Sequence, residues 1–321
     1  MARNRETIMQ LFSKKKSPGW FALRNCEKGT CIAHVITQDE HKPKIALIAT
    51  RPESIKDKDA SKTMATDLSM ANMHCTLLLT NNEYQLFQIE KPNVPANELK
   101  QAISWKLKEM IDYPIENATI DIIDIPSDPN NANRQTYVYA VAAKNELISS
   151  YIQNLIEKAG AGLEAIDIPE LAQRNVAAYL EQEGRGLAML SINNNVGLLT
   201  FTSGNELYHA RHIEIDIKQM QSENSELKSG MFERISLEIQ RSLDNFERQF
   251  PYITINRLVL APFTEREDFY DYLKSYLYIQ IERFDLSDVF EYDNAIDLGD
   301  LSMQAGFLPA LGAALRGGKS S

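Results

Sequence analysis

The sequence predicts an α/β protein of two lobes, with a small α+β subdomain inserted in the first lobe. The chain has 321 residues, which is enough for two lobes that each bury a core. Predicted strands and helices alternate through both halves, which is the pattern of α/β proteins. Between residues 75 and 145 this alternation gives way to strands around one amphipathic helix, which predicts the inserted unit.

Composition excludes several classes of function. Hydrophobic residues make up 44% and charged residues 24% of the chain, as in an ordinary globular protein. The net charge of −10 argues against a nucleic-acid-binding protein, which needs a basic face. Three cysteines cannot build a disulfide framework and suit a reducing compartment. The sequence contains no signal peptide and no apolar run of about 18 residues, so we expect a cytoplasmic protein.

Residues 1–16 form a basic N-terminal segment in which apolar residues lie between the charges. The segment has one acidic residue, Glu6, against five basic residues: Arg3, Arg5, Lys14, Lys15 and Lys16. Two interpretations are open. The segment rests on an anionic membrane surface, to which basic and apolar side chains both contribute, or it is a solvated, frayed terminus.

The first-lobe core, residues 17–74, is predicted to contain three strands followed by a helix. Lys28 and Gly29 suit a tight turn between the first two strands. Met64 and Leu68 recur at helical spacing further along the chain. The predicted strands cover residues 20–25, 30–37 and 44–49, and the predicted helix covers residues 61–72.

The inserted subdomain, residues 75–145, is predicted to begin with a hairpin. Asn81 and Asn82 lie between two apolar runs at residues 76–79 and 84–90, which is a hairpin signature. Two further strands are predicted at residues 119–125 and 135–143, on either side of a polar loop at residues 127–133.

The helix of the inserted subdomain has the clearest periodicity in the chain. We predict that Asn97 caps it and that Tyr113 and Pro114 end it. Its buried face is predicted to carry Leu99, Ile103, Leu107 and Met110.

Residues 146–185 are predicted to complete the first lobe and link it to the second. They contain a predicted helix at 146–159, a strand at 165–168 and a helix that starts at Pro169 and is closed by Gly184. The second lobe is assigned to residues 186–316 and a tail to residues 317–321. After its first strands we predict a long helix at 226–250, a strand at 257–261, a helix at 265–276, a strand at 278–284 and a helix at 303–316.

The most informative stretch is the start of the second lobe, residues 187–215, which predicts three strands joined by turns at residues 193–195 and 203–205. This meander resembles the one that opens the second lobe of the actin-like (ribonuclease H-like) ATPase fold. In that fold the first turn holds nucleotide phosphates through an Asp-x-Gly sequence. Here Ser191 stands at the Asp position and Asn193 at the Gly position. The architecture is retained without the phosphate chemistry, which favours a scaffold over an enzyme.

Further segments match one family in order and at matching spacing. They are Leu-Phe-Ser-Lys-Lys-Lys at 11–16, Glu-Leu-x-x-Ala-Ile-x-Trp at 98–105, Val-Ala-Ala-Lys at 141–144, Asp-Ile-Pro at 167–169, Glu-Ile-x-Arg-Ser-Leu at 238–243 and Ala-Leu-Gly-x-Ala-Leu-Arg at 310–316. Together they resemble the PilM-type proteins of type IV pilus assembly. The degenerate phosphate turns point to the MshI branch, which serves assembly of the mannose-sensitive haemagglutinin (MSHA) pilus.

The sequence departs from that family at the three turns that hold nucleotide. The first phosphate turn, Asp-Ile-Gly in the family, here contains Arg24, Asn25 and Glu27, and only Gly29 and Thr30 are similar to it. The glycine-rich adenosine turn is replaced by Pro-Phe-Thr at residues 262–264. Glycine lets the backbone approach a base or ribose, which proline and phenylalanine obstruct. An arginine also cannot replace an acidic group that organises a metal ion and water.

These departures predict a pseudo-ATPase with no catalytic residue, no metal ligand and no required cofactor. Weak binding of ATP and magnesium through backbone amides of the degenerate turns stays open, since asparagine supports unusual turns. The candidate residues for such binding are Gly29, Thr30, Ser191, Asn193 and Asn195.

The resemblance implies an adaptor that is cytoplasmic and peripheral on the inner face of the inner membrane. PilM-like proteins bind the short cytoplasmic tail of a PilN-like bitopic inner-membrane protein, within a platform of other pilus components. The resemblance places the tail in a groove between the first lobe and the inserted unit, where an exposed sheet edge accepts it as an added strand. The competing hypotheses are an ATP-switched member of the actin-like superfamily and an unrelated small-molecule enzyme on the same fold.

Overall fold

The computed structural model describes residues 16–38, 41–128, 131, 134–193, 195–264 and 266–318. The basic N-terminal segment lies outside these ranges except for Lys16, which pairs with Glu164. Parts of the 127–133 loop, Asn194 and residues 319–321 also lie outside them. Within the described ranges, no helix combines the length and the apolar character that crossing a membrane requires.

The elements of the described chain are numbered in order. The strands are β1 (Trp20–Cys26), β2 (Gly29–Ile36), β3 (Lys44–Arg51), β4 (His74–Leu78), β5 (Tyr84–Glu90), β6 (Ala118–Asp124), β7 (Tyr137–Lys144), β8 (Leu163–Asp167), β9 (Gly186–Asn193), β10 (Val196–Ser203), β11 (Glu206–Glu214), β12 (Ile255–Leu260), β13 (Gln280–Arg283) and β14 (Glu291–Tyr292). The helices are α1 (Lys58–Asp67), α2 (Ala96–Leu107), α3 (Asn145–Ile152), α4 (Pro169–Ala177), α5 (Ile217–Met220), α6 (Ser225–Gln249), α7 (Arg266–Tyr276), α8 (Leu286–Val289) and α9 (Leu301–Ala314).

Each lobe is built on a mixed sheet, and the two sheets repeat one topology. In the first lobe β3, β2 and β1 form an antiparallel meander, and β4 and β8 continue it in parallel with β1. In the second lobe β11, β10 and β9 form the meander, and β12 and β13 continue it in parallel with β9. The predicted two-lobed α/β fold and the predicted meander of the second lobe are confirmed. The sequence did not predict β14, which adds to the first sheet beside β3.

The inserted subdomain has its own antiparallel sheet, in the order β5-β7-β6. Helix α2 covers one face of this sheet, where Ile103 and Leu107 are fully buried in a cluster with Val138. Leu86 and Ile123 project from the other face and pack against the cores of both lobes. The predicted inserted α+β unit is confirmed, and its sheet lies between its own helix and the two lobes.

The predicted hairpin between residues 76–79 and 84–90 is wrong. Strand β4 pairs in parallel with β1 and β8 in the first-lobe sheet, whereas β5 pairs with β7 in the inserted sheet. All side chains from Cys75 to Leu78 are buried, which is typical of a central parallel strand covered on both faces. Residues 79–83 therefore carry the chain from one sheet to the other, and the inserted unit begins at Tyr84 instead of residue 75.

Helix α2 differs from its prediction at both ends. Asn97 lies inside its first turn and does not cap it, and the helix ends at Leu107 instead of running on to the later proline. The amides of Met110 and Ile111 both donate to the Leu107 carbonyl, at 2.9 and 3.1 Å. This tightened turn directs Ile111 towards the sheet, whereas Met110, predicted to be buried, is 45% exposed.

Two other helices end earlier than predicted. Helix α1 ends at Asp67, because Ser69 adopts a left-handed conformation with φ 53°. A short 3₁₀ turn, Met70–Asn72, replaces the rest of the predicted helix. Helix α4 ends at Ala177, so Gly184 does not close it but lies in the loop before β9 with φ 71°.

Helices α4 and α9 fill the space between the two lobe sheets. Helix α9 packs on β1 and β2 of the first sheet, and α4 packs on β10 and β11 of the second. Both helices and both sheets contribute to one apolar cluster, in which Val176, Met189 and Leu311 are fully buried. A Cβ added at Gly312 of α9 would lie 2.3 Å from the carbonyl oxygen of Ala172 on α4. The backbones of the two helices therefore touch.

A buried carboxyl group joins the inserted subdomain, α4 and the second lobe. The Tyr84 hydroxyl of β5 donates to Glu170 Oε2 at 2.7 Å, and His212 Nε2 of β11 lies 3.4 Å from Glu170 Oε1. Burial raises the pKa of Glu170 to about 7, and the charge of nearby Asp167 adds to this effect. Burial also lowers the pKa of His212, which favours its neutral form. One carboxyl group thus connects three parts of the fold while it is partly protonated near neutral pH.

The helix contact at Gly312 is testable by substitution. Gly312→Ala should destabilise the protein by about 1–3 kcal/mol, because the added methyl group overpacks the contact with Ala172. Gly306→Ala in the same helix is the matched control, since a Cβ there meets nothing within 4 Å. The control should stabilise the protein by up to about 1 kcal/mol. Urea unfolding followed by circular dichroism measures both variants, and equal effects would contradict a tight contact between α4 and α9.

The contribution of Glu170 to stability should decrease as the pH rises from about 4.5 to about 7. In this window the folded state retains a proton that the unfolded chain has released, so raising the pH favours unfolding. Glu170→Gln should remove this contribution, because the amide accepts the Tyr84 hydroxyl without a charge. Urea midpoints below and above the window should therefore converge relative to wild type. The exposed Glu183→Gln should leave the wild-type pH dependence intact, and an unchanged dependence in Glu170→Gln would contradict the assignment.

Candidate functional site

A cleft between the lobes holds two neighbouring cavities that share four residues in their walls: Arg24, Cys26, Glu27 and Asn193. The first, called here the cleft cavity, has a volume of about 260 Å³. Its walls are the β1–β2 turn, the end of β9, α5, the turn after β12 and the first half of α9. The second, called the adjacent cavity, has a volume of about 490 Å³ and reaches α4 and the connection between β4 and β5. The structure therefore brings all three degenerate turns to one cleft.

The residual glycine and threonine of the first turn hold that turn against the end of β3. Gly29 has φ 115°, and a Cβ there would lie 2.0 Å from the carbonyl oxygen of Arg51. Thr30 is fully buried, and its hydroxyl donates to the Glu53 carbonyl at 2.7 Å. Neither Gly29 nor Thr30 lies in the described walls of the two cavities. Both candidate residues thus have a structural use at this position.

Ser191 lies in the wall of the adjacent cavity and is hydrogen-bonded to helix α4. Its hydroxyl donates to Gln173 Oε1 at 2.5 Å. The Gln173 amide nitrogen in turn donates to the carbonyls of Met189 and Leu198, both at 3.0 Å. Gln173 therefore fastens α4 to β9 and β10 of the second lobe. Sequence reasoning missed this residue, because a single glutamine in a helix carries no motif.

Asn193 lines both cavities and satisfies a carbonyl of α9. Pro309 lies inside α9, and a proline has no N–H to donate to the carbonyl four residues earlier. That carbonyl belongs to Ala305, and Asn193 Nδ2 donates to it at 3.2 Å. Asn193, which stands where the Asp-x-Gly sequence has its glycine, thus supplies the hydrogen-bond donor that Pro309 lacks. The signal was present in the sequence, since Pro309 lies in the middle of a predicted helix.

Asn195 supports the turn between β9 and β10 from outside the cavities. It adopts a left-handed conformation with φ 61°, which asparagine tolerates better than most residues. Its carbonyl accepts from the Ile215 amide at 2.9 Å, and its side-chain oxygen accepts from the Ile217 amide at 3.2 Å at the start of α5. Of the five candidate residues, only Ser191 and Asn193 therefore line the cleft.

The turn after β12 gives the cleft cavity an apolar wall. Phe263 is 5% exposed and lines the cavity together with Met220 and Phe307. Its ring also meets Phe269 of α7 edge to face, with 6.1 Å between the centroids. The Phe263 side chain therefore packs on α7 and bounds the cleft cavity at the turn after β12.

Arg24 projects from β1 into both cavities. Burial lowers the pKa of its guanidinium group, and the groups whose charge acts on it are the thiols of Cys31 and Cys26. Cys31, opposite Arg24 in the β1–β2 pair, has a pKa raised to about 12, chiefly by burial. The thiol of Cys31 is therefore neutral and offers the guanidinium no counter-charge. Arg24 Nε has no hydrogen-bond partner among the described residues.

The charged and polar groups of the cleft are few. Glu27 is the only carboxylate among the described residues that line either cavity, and it lies exposed on the β1–β2 turn. Across the described part of the chain, no group of three or more His, Cys, Asp or Glu is placed to hold a metal ion. The described lining also contains the half-buried Arg24, the exposed Lys28, several amide and hydroxyl side chains, and an apolar wall.

No protein-family model matches the chain, and no curated protein matches its sequence. Among solved structures, a chain of the PilM–PilN type IV pilus biogenesis complex superimposes with a TM-score of 0.67 and 18% identity, covering 94% of this chain and 99% of that one. A Bacteroides thetaiotaomicron protein with an actin-like ATPase fold and unknown function superimposes with a TM-score of 0.52 and 10% identity, covering 87% and 95%. The cytoplasmic domain of EpsL, an inner-membrane component of the Vibrio cholerae type II secretion system, gives a TM-score of 0.48 and 12% identity, covering 91% and 94%. The first two likenesses show that this chain has the actin-like ATPase fold in the form seen in a PilM–PilN complex.

Proposed function

We propose that this protein is a structural adaptor on the cytoplasmic face of an inner-membrane type IV pilus assembly platform. In this proposal it binds the cytoplasmic tail of a PilN-like bitopic membrane protein and does not hydrolyse ATP. The observation that carries the proposal is the likeness to a chain of the PilM–PilN complex over 94% of the present chain. The degenerate turns favour the MshI branch, which serves the MSHA pilus.

The edge of β5 is the proposed docking surface for the tail. Strand β5 pairs with β7 on one side only, and no described strand pairs with its other side. An extended peptide can add to such an edge through main-chain hydrogen bonds. The side-chain amides of Gln85 and Gln88 on β5 each have one buried atom without a partner among the described residues. Rotating these amides towards an added strand therefore breaks no existing hydrogen bond at those atoms.

The proposed lack of ATP hydrolysis is supported by the contacts that residues of the three turns make within the protein. Thr30 and Ser191 donate their hydroxyl groups to protein oxygens, at 2.7 and 2.5 Å. Asn193 donates to the helix α9, and Phe263 fills the nucleoside side of the cleft. Each turn that would hold a nucleotide therefore contains a residue whose side chain already makes contacts within the protein. The competing hypothesis, an ATP-switched member of the fold, requires these contacts to open.

Millimolar ATP with magnesium should leave the melting temperature almost unchanged. A nucleotide present at about 100 times its dissociation constant would contribute about 2.7 kcal/mol and raise the melting temperature visibly. Differential scanning fluorimetry with and without ATP and magnesium makes the measurement. Steady phosphate release, or a clear and saturable rise in the melting temperature, would favour the ATP-switch hypothesis instead.

Substitution of the β5 edge should weaken capture of the partner's tail without unfolding the protein. The probe is a labelled peptide with the cytoplasmic tail sequence of a PilN-like bitopic membrane protein from the same organism, and fluorescence anisotropy measures its affinity. The double variant Gln85→Ala, Gln88→Ala should bind at least about tenfold more weakly. Asp121→Ala on β6, at the opposite edge of the same sheet, is the matched control and should bind normally.

Melting curves of both variants check that the inserted subdomain stays folded. Normal tail affinity in the β5 double variant and in a variant with a shortened 127–133 loop would place the interface elsewhere, most simply on the second lobe.

A further inference from the structure

Arg24 is a half-buried cation that lines both cavities. Its Nε is buried and has no hydrogen-bond partner among the described residues. Only the thiols of Cys26 and Cys31 exert a charge effect on the guanidinium group, and Cys31 stays protonated. A buried donor without a hydrogen-bond partner costs free energy. The unpartnered Nε beside a cavity therefore requires an explanation.

The surroundings of Arg24 contrast with the rest of the chain. The protein carries 44 acidic against 34 basic residues, yet Glu27 is the only acid among the described residues of either cavity wall. Lys28, exposed at the mouth of the cleft cavity, adds a second cation. In a chain with this excess of acidic residues, a carboxylate paired with Arg24 would be expected. The described lining of the two cavities offers Arg24 no carboxylate except that of Glu27, which is exposed on the β1–β2 turn.

We propose that the cleft binds a small organic oxyanion, a carboxylate or a phosphate monoester on a compact apolar body, with Arg24 as its counter-charge. The planar guanidinium presents paired N–H donors that match the oxygens of both groups. The apolar body would lie against Met220, Phe263 and Phe307 of the cleft cavity. This site goes beyond the adaptor function, because it lies between the lobes and not at the β5 edge.

The volume of the cleft cavity, where the apolar wall lies, selects against a nucleotide there. Ligand pockets of drug-sized molecules measure roughly 300–1,000 Å³, and the cleft cavity measures about 260 Å³. The adjacent cavity, which shares Arg24, is larger at about 490 Å³. There a nucleoside triphosphate would need the phosphate turns, whose Thr30, Ser191 and Asn193 side chains donate hydrogen bonds within the protein. A single oxyanion on one aromatic or short aliphatic body fits the volume of the cleft cavity and the charge of Arg24.

The test compares probes of one body with different head groups on the intact protein. Phenyl phosphate, benzoate and inorganic phosphate are added at equal ionic strength, and thermal unfolding and isothermal titration calorimetry are recorded. Phenyl phosphate or benzoate should raise the melting temperature in a saturable manner, and inorganic phosphate alone should do so more weakly. The relative response to phenyl phosphate and benzoate then identifies the head group.

Arg24→Met separates a binding role from a structural role. Without a ligand this variant should melt at or above the wild-type temperature, because it removes a half-buried charge whose Nε has no hydrogen-bond partner among the described residues. It should also bind the effective probe at least about tenfold more weakly. Lys28→Met, on the exposed turn beside it, is the matched control and should keep most of the response.

Two results would overturn the proposal. The first is the absence of any saturable shift in the wild type with all three probes. The second is an Arg24→Met variant that melts below wild type and responds to the probe as wild type does, because Arg24 would then serve the fold alone.

Discussion

The direct backbone contact between α4 and α9 sets the positions of both lobes. Helix α4 lies on the second sheet, α9 lies on the first, and Gly312 lets the two helices meet at Ala172. The first half of α9 then extends away from this contact and forms one wall of the cleft cavity. The shape of the cleft therefore follows in part from a contact in the apolar core between the lobes.

Local patterns were sufficient to predict most of the fold. The long helix α6, the meander of the second lobe and the inserted α+β unit all follow from periodicity and turn residues within short windows. The hairpin failed for a physical reason: two apolar runs around Asn81 and Asn82 look alike whether their strands pair or diverge. The true partners of β4 are β1 and β8, and β8 lies far away along the chain. Pairing over such separations leaves no local signature.

The sequence predicted where the candidate site lies, but it did not predict which contacts the residues of the site make. The sequence located the three turns and the two residues, Ser191 and Asn193, that line the cleft. It could not reveal that Asn193 supplies a donor to a carbonyl 112 residues away, or that Gln173 joins α4 to two strands. The isolation of Arg24 is likewise a property of everything that surrounds it. Roles of this kind depend on contacts between elements that are far apart in the sequence, and the tertiary fold determines those contacts.

Residues 79–83, which carry the chain from one sheet to the other, connect the wall of the adjacent cavity to the edge of β5. Thr80 lies in the wall of the adjacent cavity, and β5 begins four residues later. Glu83 anchors this crossing, since it accepts a hydrogen bond from Tyr151 at 2.6 Å, and Tyr151 in turn accepts one from Asn25 of β1 at 2.9 Å. The β5 edge and the adjacent cavity are therefore joined by one short run of chain, whose last residue, Glu83, is linked through Tyr151 to Asn25 of β1. A contact made at the start of β5 lies within a few residues of the cleft wall.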